Sequence, residues 1–465
     1  MVKKKVLLVF AYKIQSVATL TVHTPPLGIG YIAGFLLQEG HTVKIVDLQV
    51  QSESMIFENL DFDIIGISIL TPYFPRACEL IKAIKNRQFR GKVVIGGAHV
   101  TALPEQSARQ SGADLVCIGE GEAAMIKLSD ETPIQNINGI GWIENGKFRQ
   151  TRVNEITDSL DNYPLPAFHL FDLKRYGSVN MAIVPSGTKD GIIITSRGCP
   201  FSCDFCFKIS SHIRFRSPEN VVSEISQLKD KFGYNKFSFI DDCFNANPKR
   251  AKDICRRIIE KKIGITFTLP NGIRGDLLDD ELAGLMKEAG CIGANIGVES
   301  WDDVVRSKMN KKLKKEDAIN AVRVLQKRGI ICTAYFIMGH YHDTSESLQR
   351  NIDAVKELDA DFFQYSKFIP MPGSPIYNKI VEEGRIIEKD FSKFSIFGDA
   401  DLMDHPRLSG NEINLAIKIA YRKAAFRWRT IRIIIQHPII ARNVLRNIGQ
   451  IAMMTKLAFF SSKQV

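Results

Sequence analysis

Thr195-Ser196-Arg197-Gly198-Cys199-Pro200-Phe201-Ser202-Cys203-Asp204-Phe205-Cys206 follows directly on Gly191-Ile192-Ile193-Ile194, and this junction decides the fold. The apolar, β-branched run predicts a buried parallel strand, which puts the three cysteines on a loop at its carboxyl end. Gly198 and Pro200 keep that loop out of helical geometry and let it curl, so that Cys199, Cys203 and Cys206 turn inward together. Converging thiols predict a metal centre. A structural zinc ion wants four closed ligands; no second C-x2-C pair lies downstream, and His212 is the residue that would complete a zinc set. Iron–sulfur clusters are held by thiolates, and three thiolates leave one iron of a four-iron cluster open to substrate chemistry.

The chain has 465 residues, enough for two or three domains with separate cores. Hydrophobic residues at 45% and charged residues at 24% describe an ordinary globular protein. The nine cysteines form no even framework, which argues for a reducing compartment and a cytoplasmic location. Lys3-Lys4-Lys5 before Val6-Leu7-Leu8-Val9-Phe10-Ala11 imitates a signal peptide, but the apolar run is short and no small-residue cleavage site follows. A first buried strand is the better account. The net charge of +11 is concentrated at one end: from Ile413 to Val465 there is no Asp or Glu, whereas Arg422, Arg427, Arg432, Arg442, Lys456 and Lys463 are among the cations. Such a segment favours an anionic partner, lipid headgroups before nucleic acid.

Residues 1–130 alternate strand and helix signals: strands at Val6–Phe10, Thr42–Val46, Ile64–Ile69, Val93–Ile95 and Leu115–Ile118, with helices at Gly28–Gln38 and Arg76–Asn86. This predicts an α/β, doubly wound parallel sheet, a Rossmann-like domain whose ligands lie beyond the carboxyl ends of the strands. Ser68 and Thr71, Gly96-Gly97-Ala98-His99, and Gly119-Glu120-Gly121-Glu122 collect there. Residues 131–185 read as a connector, with a hairpin at Gly139–Phe148 turning on Asn145-Gly146 and an extended Tyr163-Pro164-Leu165-Pro166-Ala167. Residues 186–380 resume the βα rhythm through six units, a (βα)6 partial TIM barrel with site residues at strand ends, among them Asp241, Asp242 and Glu299. Residues 381–465 predict a basic helical extension with helices at Ala424–Ile435 and Ile439–Met453, neither apolar enough to span a bilayer. A basic amphipathic helix lying on a lipid surface is the preferred account, with a cap packed on the barrel as its rival.

The C-x3-C-x2-C spacing, with Phe205 just before its last cysteine, resembles the radical S-adenosylmethionine (SAM) superfamily. Pro25-Pro26-Leu27-Gly28-Ile29-Gly30-Tyr31, with the two glycine loops at Gly96 and Gly119, resembles the cobalamin-binding domain that precedes the radical SAM domain in the family of the anaerobic magnesium-protoporphyrin ester cyclase and its methyltransferase relatives. Pro370-Met371-Pro372-Gly373-Ser374-Pro375-Ile376-Tyr377 is similar to that family's P-x-P-G-T-P-x-Y segment. The resemblance implies a 4Fe-4S cluster on Cys199, Cys203 and Cys206, SAM on its open iron, and Phe205, Asp241, Asp242 and Glu299 against SAM. It implies cobalamin against Ser68, Thr71, Gly96, Gly97, His99, Gly119, Glu120 and Gly121. It assigns no catalytic side chain. Two departures stand out: the D-x-H-x-x-G frame is missing, leaving His23 without its context, and Gly339-His340-Tyr341-His342-Asp343 replaces Gly-x-x-Gly-Glu.

The implied activity generates a 5′-deoxyadenosyl radical and methylates an unactivated carbon of a hydrophobic or lipid-like small molecule. Its electrons would come from a reductant such as flavodoxin or ferredoxin, and the basic tail would give peripheral contact with the inner membrane face. Cyclase-like oxidation or ring formation without methyl transfer is the alternative on the same scaffold. An RNA-modifying methylthiotransferase is a further one, but it calls for cluster cysteines in the first domain, where only Cys78 and Cys117 occur.

Overall fold

Near-continuous apolar runs build the first sheet. β1 (Lys5–Phe10), β2 (Thr42–Asp47), β3 (Ile64–Ser68), β4 (Lys92–Gly96) and β5 (Leu115–Cys117) pair in parallel in the order β2-β1-β3-β4-β5. Val6, Leu7, Leu8 and Val9 are all fully buried, as parallel strands covered on both faces require. The computed structural model describes residues 3–13, 23–153, 159–177, 188–210, 212–395, 398 and 400–446, with side chains to 442.

The sheet is mixed rather than purely parallel. The hairpin assigned to the connector extends it: β6 (Ile140–Glu144) pairs antiparallel with β5, and β7 (Lys147–Gln150) with β6. Its turn residues Asn145 and Gly146 both take positive φ, 49° and 75°, the mirror-image turn that matches strand twist. The physical reason for the docking is that β5 would otherwise expose a row of unpaired backbone groups. The extended Tyr163–Ala167 stretch then runs along the helix Leu27–Gln38, where the Ala167 N–H donates to the Gly30 carbonyl at 2.9 Å.

β8 (Asp190–Ile193) opens the second sheet and leads into a short antiparallel ribbon, β9 (Ser196–Arg197) with β10 (Arg214–Phe215). β11 (Lys236–Phe239), β12 (Thr266–Ile273), β13 (Cys291–Glu299), β14 (Ile331–Met338) and β15 (Phe362–Lys367) follow, all parallel, in the order β15-β14-β13-β12-β11-β8. This is the six-unit open barrel. Four crossover helices start on a side-chain cap: Ser217, Asn247, Asp279 and Thr344 each accept the N–H three residues on.

An open barrel has a free edge at β15, and the chain caps it. The helix Gly410–Ala425 lays Ile413, Ala416, Ala420 and Ala424 against the barrel, and small residues at that spacing allow close approach. The Tyr421 hydroxyl accepts from the Tyr365 N–H at 3.1 Å and donates to the Tyr365 carbonyl at 3.0 Å, taking the place of a neighbouring strand.

The helix expected at Ala424–Ile435 is two helices. Arg427 is extended, at φ −76° and ψ 140°, because its guanidinium donates to the Ala360 carbonyl at 2.6 Å and pairs with Asp359; a second helix, Trp428–Gln436, starts after it. Pro438–Arg446 is the observed part of the expected Ile439–Met453; residues 447–453, and with them Lys456 and Lys463, lie outside the described residues. Ile433, Ile434 and Ile440 pack on Ile292, Ile331 and Phe362 at the start of β13, β14 and β15. One face of the tail therefore plugs the bottom of the barrel, the outcome ranked second from sequence. Tyr421→Phe removes both edge bonds while keeping the ring, and is expected to lower stability by about 1 kcal/mol in urea unfolding, from the net worth of hydrogen bonds of this kind.

Candidate functional site

Both sheets present their strand carboxyl ends to one cavity of about 390 Å³. The first sheet contributes Ser68, Gly96, Gly97, Gly119, Glu120 and Gly121; the second side contributes Ser196, Arg197, Gly198, Phe207, Lys208 and Asp242. The wall between is apolar, with Ile29, Ile32, Ile95, Ile194 and Ile240. Gly97 is obligatory where it stands: φ is +98°, and a Cβ would fall 2.8 Å from the Ile69 carbonyl oxygen. The bare backbone it leaves lets a broad, flat ligand sit close to the strand ends. No histidine lines the cavity among the described residues. His23 packs edge-on against Tyr12, with ring centroids 5.3 Å apart. A cobalamin here would fit through backbone and apolar contact, without a histidine as lower ligand from the described residues.

Two of the residues expected against that ligand lie elsewhere. His99 is fully buried, 4.3 Å from the Phe74 ring and 4.7 Å from the Phe391 ring, and its Nδ1 lies 3.4 Å from the hydroxyl of Thr71, itself buried. Neither lines the cavity. Both sit one step behind the strand ends, in the apolar layer that joins the first sheet to the segment around Phe391.

The cysteine loop is held by contacts from across the barrel. Gly198 has φ +85°, and a Cβ there would come within 2.5 Å of the His212 carbonyl oxygen. The Asp204 N–H donates to Met309 O at 3.0 Å, the Asp204 carbonyl accepts from the Ile376 N–H at 3.0 Å, and Asn310 Nδ2 donates to Ser202 O at 2.8 Å. Lys208 Nζ donates to the carbonyls of Cys199 at 3.1 Å and Phe201 at 2.6 Å, and the Arg274 guanidinium lies 4.2 Å from the centre of the Phe201 ring. The barrel thus shapes the loop through its own backbone. Burial pushes the Cys203 thiol up, with the Glu299 carboxylate and the Cys199 sulfur adding to the rise and Lys311 and Arg274 opposing it. Three neighbouring thiols would repel one another once ionised, so they are stable as thiolates only on a cation, which reverses the preference. Among the described residues no three His, Cys, Asp or Glu side chains converge on a single-ion site. The donor set suits a cluster with one thiolate per iron better than the zinc set with His212.

The carboxylates divide. Asp241 is buried and faces the cysteine loop's root: it accepts from the Thr195 N–H at 2.8 Å, the Thr195 hydroxyl at 3.0 Å and the Ser196 hydroxyl at 2.7 Å, as well as the Ser196 N–H. Asp242 faces the cavity. Glu299 ends β13 at φ +67°, strained for a residue with a side chain, and accepts from Lys311 Nζ at 2.8 Å. Burial works against the Lys311 ammonium, but Glu299 and the Cys203 sulfur on either side leave its pKa raised. Phe205 packs with Tyr341, Phe368, Ile376 and Ile380, and its ring lies 6.4 Å from His340. His340, fully buried, has Nε2 3.2 Å from Asp204 Oδ1. Lys208, Arg274, Asn310 and Lys311 were missed from sequence, and no local pattern marks them. Cys78 lies on a helix and Cys117 is buried with its thiol pushed up to about 12, so they do not extend the cysteine loop.

A family model described as the radical SAM superfamily matches residues 193–355, and one described as the B12 binding domain matches residues 16–129. The chain is 30% identical over 410 residues to the uncharacterized methyltransferase PH0819 of Pyrococcus horikoshii, covering 85% of this chain and 87% of that one. It is 26% identical over 388 residues to the anaerobic magnesium-protoporphyrin IX monomethyl ester cyclase of Rubrivivax gelatinosus, covering 80% and 68%. It is 25% identical over 454 residues to the cytidylyl-2-hydroxyethylphosphonate methyltransferase of Streptomyces wedmorensis, covering 84% of each. The fold is that of the radical SAM methyltransferase TsrM from Kitasatospora setae, solved with cobalamin and a 4Fe-4S cluster (TM-score 0.68, 19% identity, covering 83% and 76%). It is also that of the cobalamin-dependent radical enzyme OxsB (TM-score 0.71, 18% identity, covering 89% and 66%).

Burial holds the His99 pKa down at about 4, below the ordinary value of 6.5. Between those values the unfolded chain takes up a proton that the folded one refuses, so this histidine costs stability as pH falls through that window. The loss approaches about 1.4 kcal/mol per pH unit. His99→Phe is expected to flatten the pH 7-to-5 fall in unfolding free energy by about 2 kcal/mol and leave hydroxocobalamin binding unchanged. A changed affinity for the corrin would return His99 to the cavity.

Proposed function

The chain belongs to the radical SAM superfamily, among the members that carry a B12 binding domain, and on that premise we propose that Cys199, Cys203 and Cys206 hold the 4Fe-4S cluster at one wall of the cavity while cobalamin occupies the other. It is an enzyme of the cobalamin-dependent radical SAM methyltransferase type. The observation that carries the placement is the single cavity onto which the glycine loops of the first sheet and the foot of the cysteine loop both open. When bound, these groups supply a carbon-centred radical and a methyl group.

The chain's own residues do the positioning. Asp242 offers the cavity a carboxylate for an ammonium group, and Glu299 offers acceptors for a diol once Lys311 turns aside. Phe205 gives an apolar face beside the last cysteine, and Asp241 keeps the loop's root in place from behind. The isoleucine wall excludes water from the reacting carbon and supports a hydrophobic substrate. A small-molecule substrate and an external reductant go with this chemistry; flavodoxin or ferredoxin is the proposed class. The cyclase among the relatives keeps a second outcome open on the same site, radical oxidation without a methyl group.

The substrate and the tail point the same way. Among the described residues no helix is long and apolar enough to cross a membrane. Yet Leu415, Ile419, Phe426 and Trp428 are exposed on the terminal helices, Trp428 by 74%, and so are Arg422 and Arg432. Apolar residues among cations suit peripheral contact with an anionic bilayer.

With SAM and dithionite, the reconstituted protein is expected to form 5′-deoxyadenosine, and Cys203→Ala to lose iron and that product while still binding hydroxocobalamin. Retention of full iron content by Cys203→Ala would overturn the cluster assignment. Extracts of cells with and without the intact protein should then differ by one methyl mass; a loss of hydrogen alone would select the cyclase-like outcome. In co-sedimentation, phosphatidylglycerol vesicles should carry the protein down and pure phosphatidylcholine vesicles should not, with Phe426→Ser/Trp428→Ser abolishing the difference. Equal recovery on both vesicles would refute the membrane contact.

A further inference from the structure

The loop that carries the cluster cysteines and the loop that ends the first sheet are tied by a buried ion network. Arg197, two positions before Cys199, donates to Glu120 Oε2 at 2.6 Å and to Glu122 Oε1 at 2.8 Å. Arg214, its backbone partner across the β9–β10 ribbon, pairs with the other oxygen of Glu120 and donates to the Tyr163 hydroxyl at 3.2 Å. The Arg197 guanidinium lies 4.7 Å from the centre of the Tyr31 ring and 5.1 Å from that of Tyr163. Exposure of the four charged side chains runs only from 8% to 16%. Among the described residues, two cations meet two anions in this network.

Domains of one chain move relative to each other unless something fixes them. A guanidinium whose donors span two carboxylates on neighbouring positions fixes an angle as well as a distance, which an ammonium does not. The two tyrosines, one on the helix Leu27–Gln38 and one on the connector, leave the guanidinium little freedom to swing. Arg197 and both its carboxylate partners also line the cavity, so the network is part of its wall. Its length therefore sets how far the glycine loop stands from the cysteine loop. Glu120, expected from sequence to face cobalamin, has both oxygens committed to arginines.

We infer that Arg197 is a positioning residue: by gripping Glu120 and Glu122 it fixes the spacing of the two cofactor-bearing loops, and with it the width of the cavity offered to an occupant. For the occupant this rests on the cobalamin assignment above; for the spacing it does not. The test uses the full chain, reconstituted anaerobically, as wild type, Arg197→Met, Arg197→Lys and the milder Glu122→Gln. Amide exchange in segments 119–126 and 193–199 is expected to rise about tenfold in Arg197→Met, with a smaller rise in Arg197→Lys. Hydroxocobalamin affinity should fall by about tenfold in the same order, while iron and sulfide content stay at wild-type levels. Arg350→Gln, which breaks the remote pair with Asp302, controls for general destabilisation and should move neither readout. Should Arg197→Met not fold, Glu122→Gln carries the same comparison. Wild-type exchange in both segments together with wild-type corrin affinity, at any change in melting temperature, would overturn the inference. A wild-type protein that ignores hydroxocobalamin would sink the cofactor assignment, and the exchange comparison would still decide the latch.

Discussion

The cysteine loop hangs on one buried carboxylate. Asp241, at the end of β11, gathers the N–H and hydroxyl groups of both Thr195 and Ser196, the two residues where the chain leaves β8 and turns into the ribbon. Burial pushes its pKa up, and those hydrogen bonds work in the opposite direction. Arg250, on the helix after β11, braces the same turn by donating to the carbonyls of Thr195 at 2.5 Å and Arg216 at 2.7 Å. A carboxylate withdrawn from water is tolerable only with this many donors, so its satisfaction and the loop's direction are one constraint. Everything that follows, from Arg197 reaching the first sheet to Cys199 starting its curl, inherits that direction.

The strands and helices were legible because each depends on neighbours in sequence. Apolar runs such as Val6–Phe10 and Phe362–Phe368, and caps such as Ser217 and Asn247, carry their structure locally, and the six-unit barrel follows from counting them. What the sequence could not show was which element meets which. The Gly139–Phe148 hairpin was recognisable as a hairpin, but its docking on β5 depends on an edge that exists only in the folded sheet. The break at Arg427 likewise depends on Asp359 and the Ala360 carbonyl, far away in the chain.

The same division runs through the site. The three cysteines share one loop, so their spacing announced them. Arg274, Asn310 and Lys311 act on that loop from separate segments, Lys208 folds back onto it from two residues beyond Cys206, and none of them carries a pattern of its own. His99 misled for the complementary reason. It follows a glycine pair at a strand end, where ligand-facing residues gather, but Gly97 turns the chain so that the next helix carries the ring under the sheet and against Phe391. Position after a strand places a residue near a site; the turn decides whether it faces in.

The terminal helices carry one amphipathic pattern with two unlike faces. A helix that packs on a barrel spends only part of its circumference there, and the short alanines at 416, 420 and 424 bring the Gly410–Ala425 helix close. Ile413 also faces the barrel, while other large apolar residues are left for the outside: Leu415 and Ile419 on that helix, Phe426 and Trp428 at the break. Ile413, Ile433, Ile434 and Ile440 face the protein as burial demands, but burial alone does not account for Leu415, Ile419, Phe426 and Trp428, which are left to solvent. The absence of any acidic residue from Ile413 onward removes the local repulsion an anionic surface would meet. The inner face of the tail closes a barrel that would otherwise have a raw edge, and the same helices leave aromatic and basic side chains exposed on the other side.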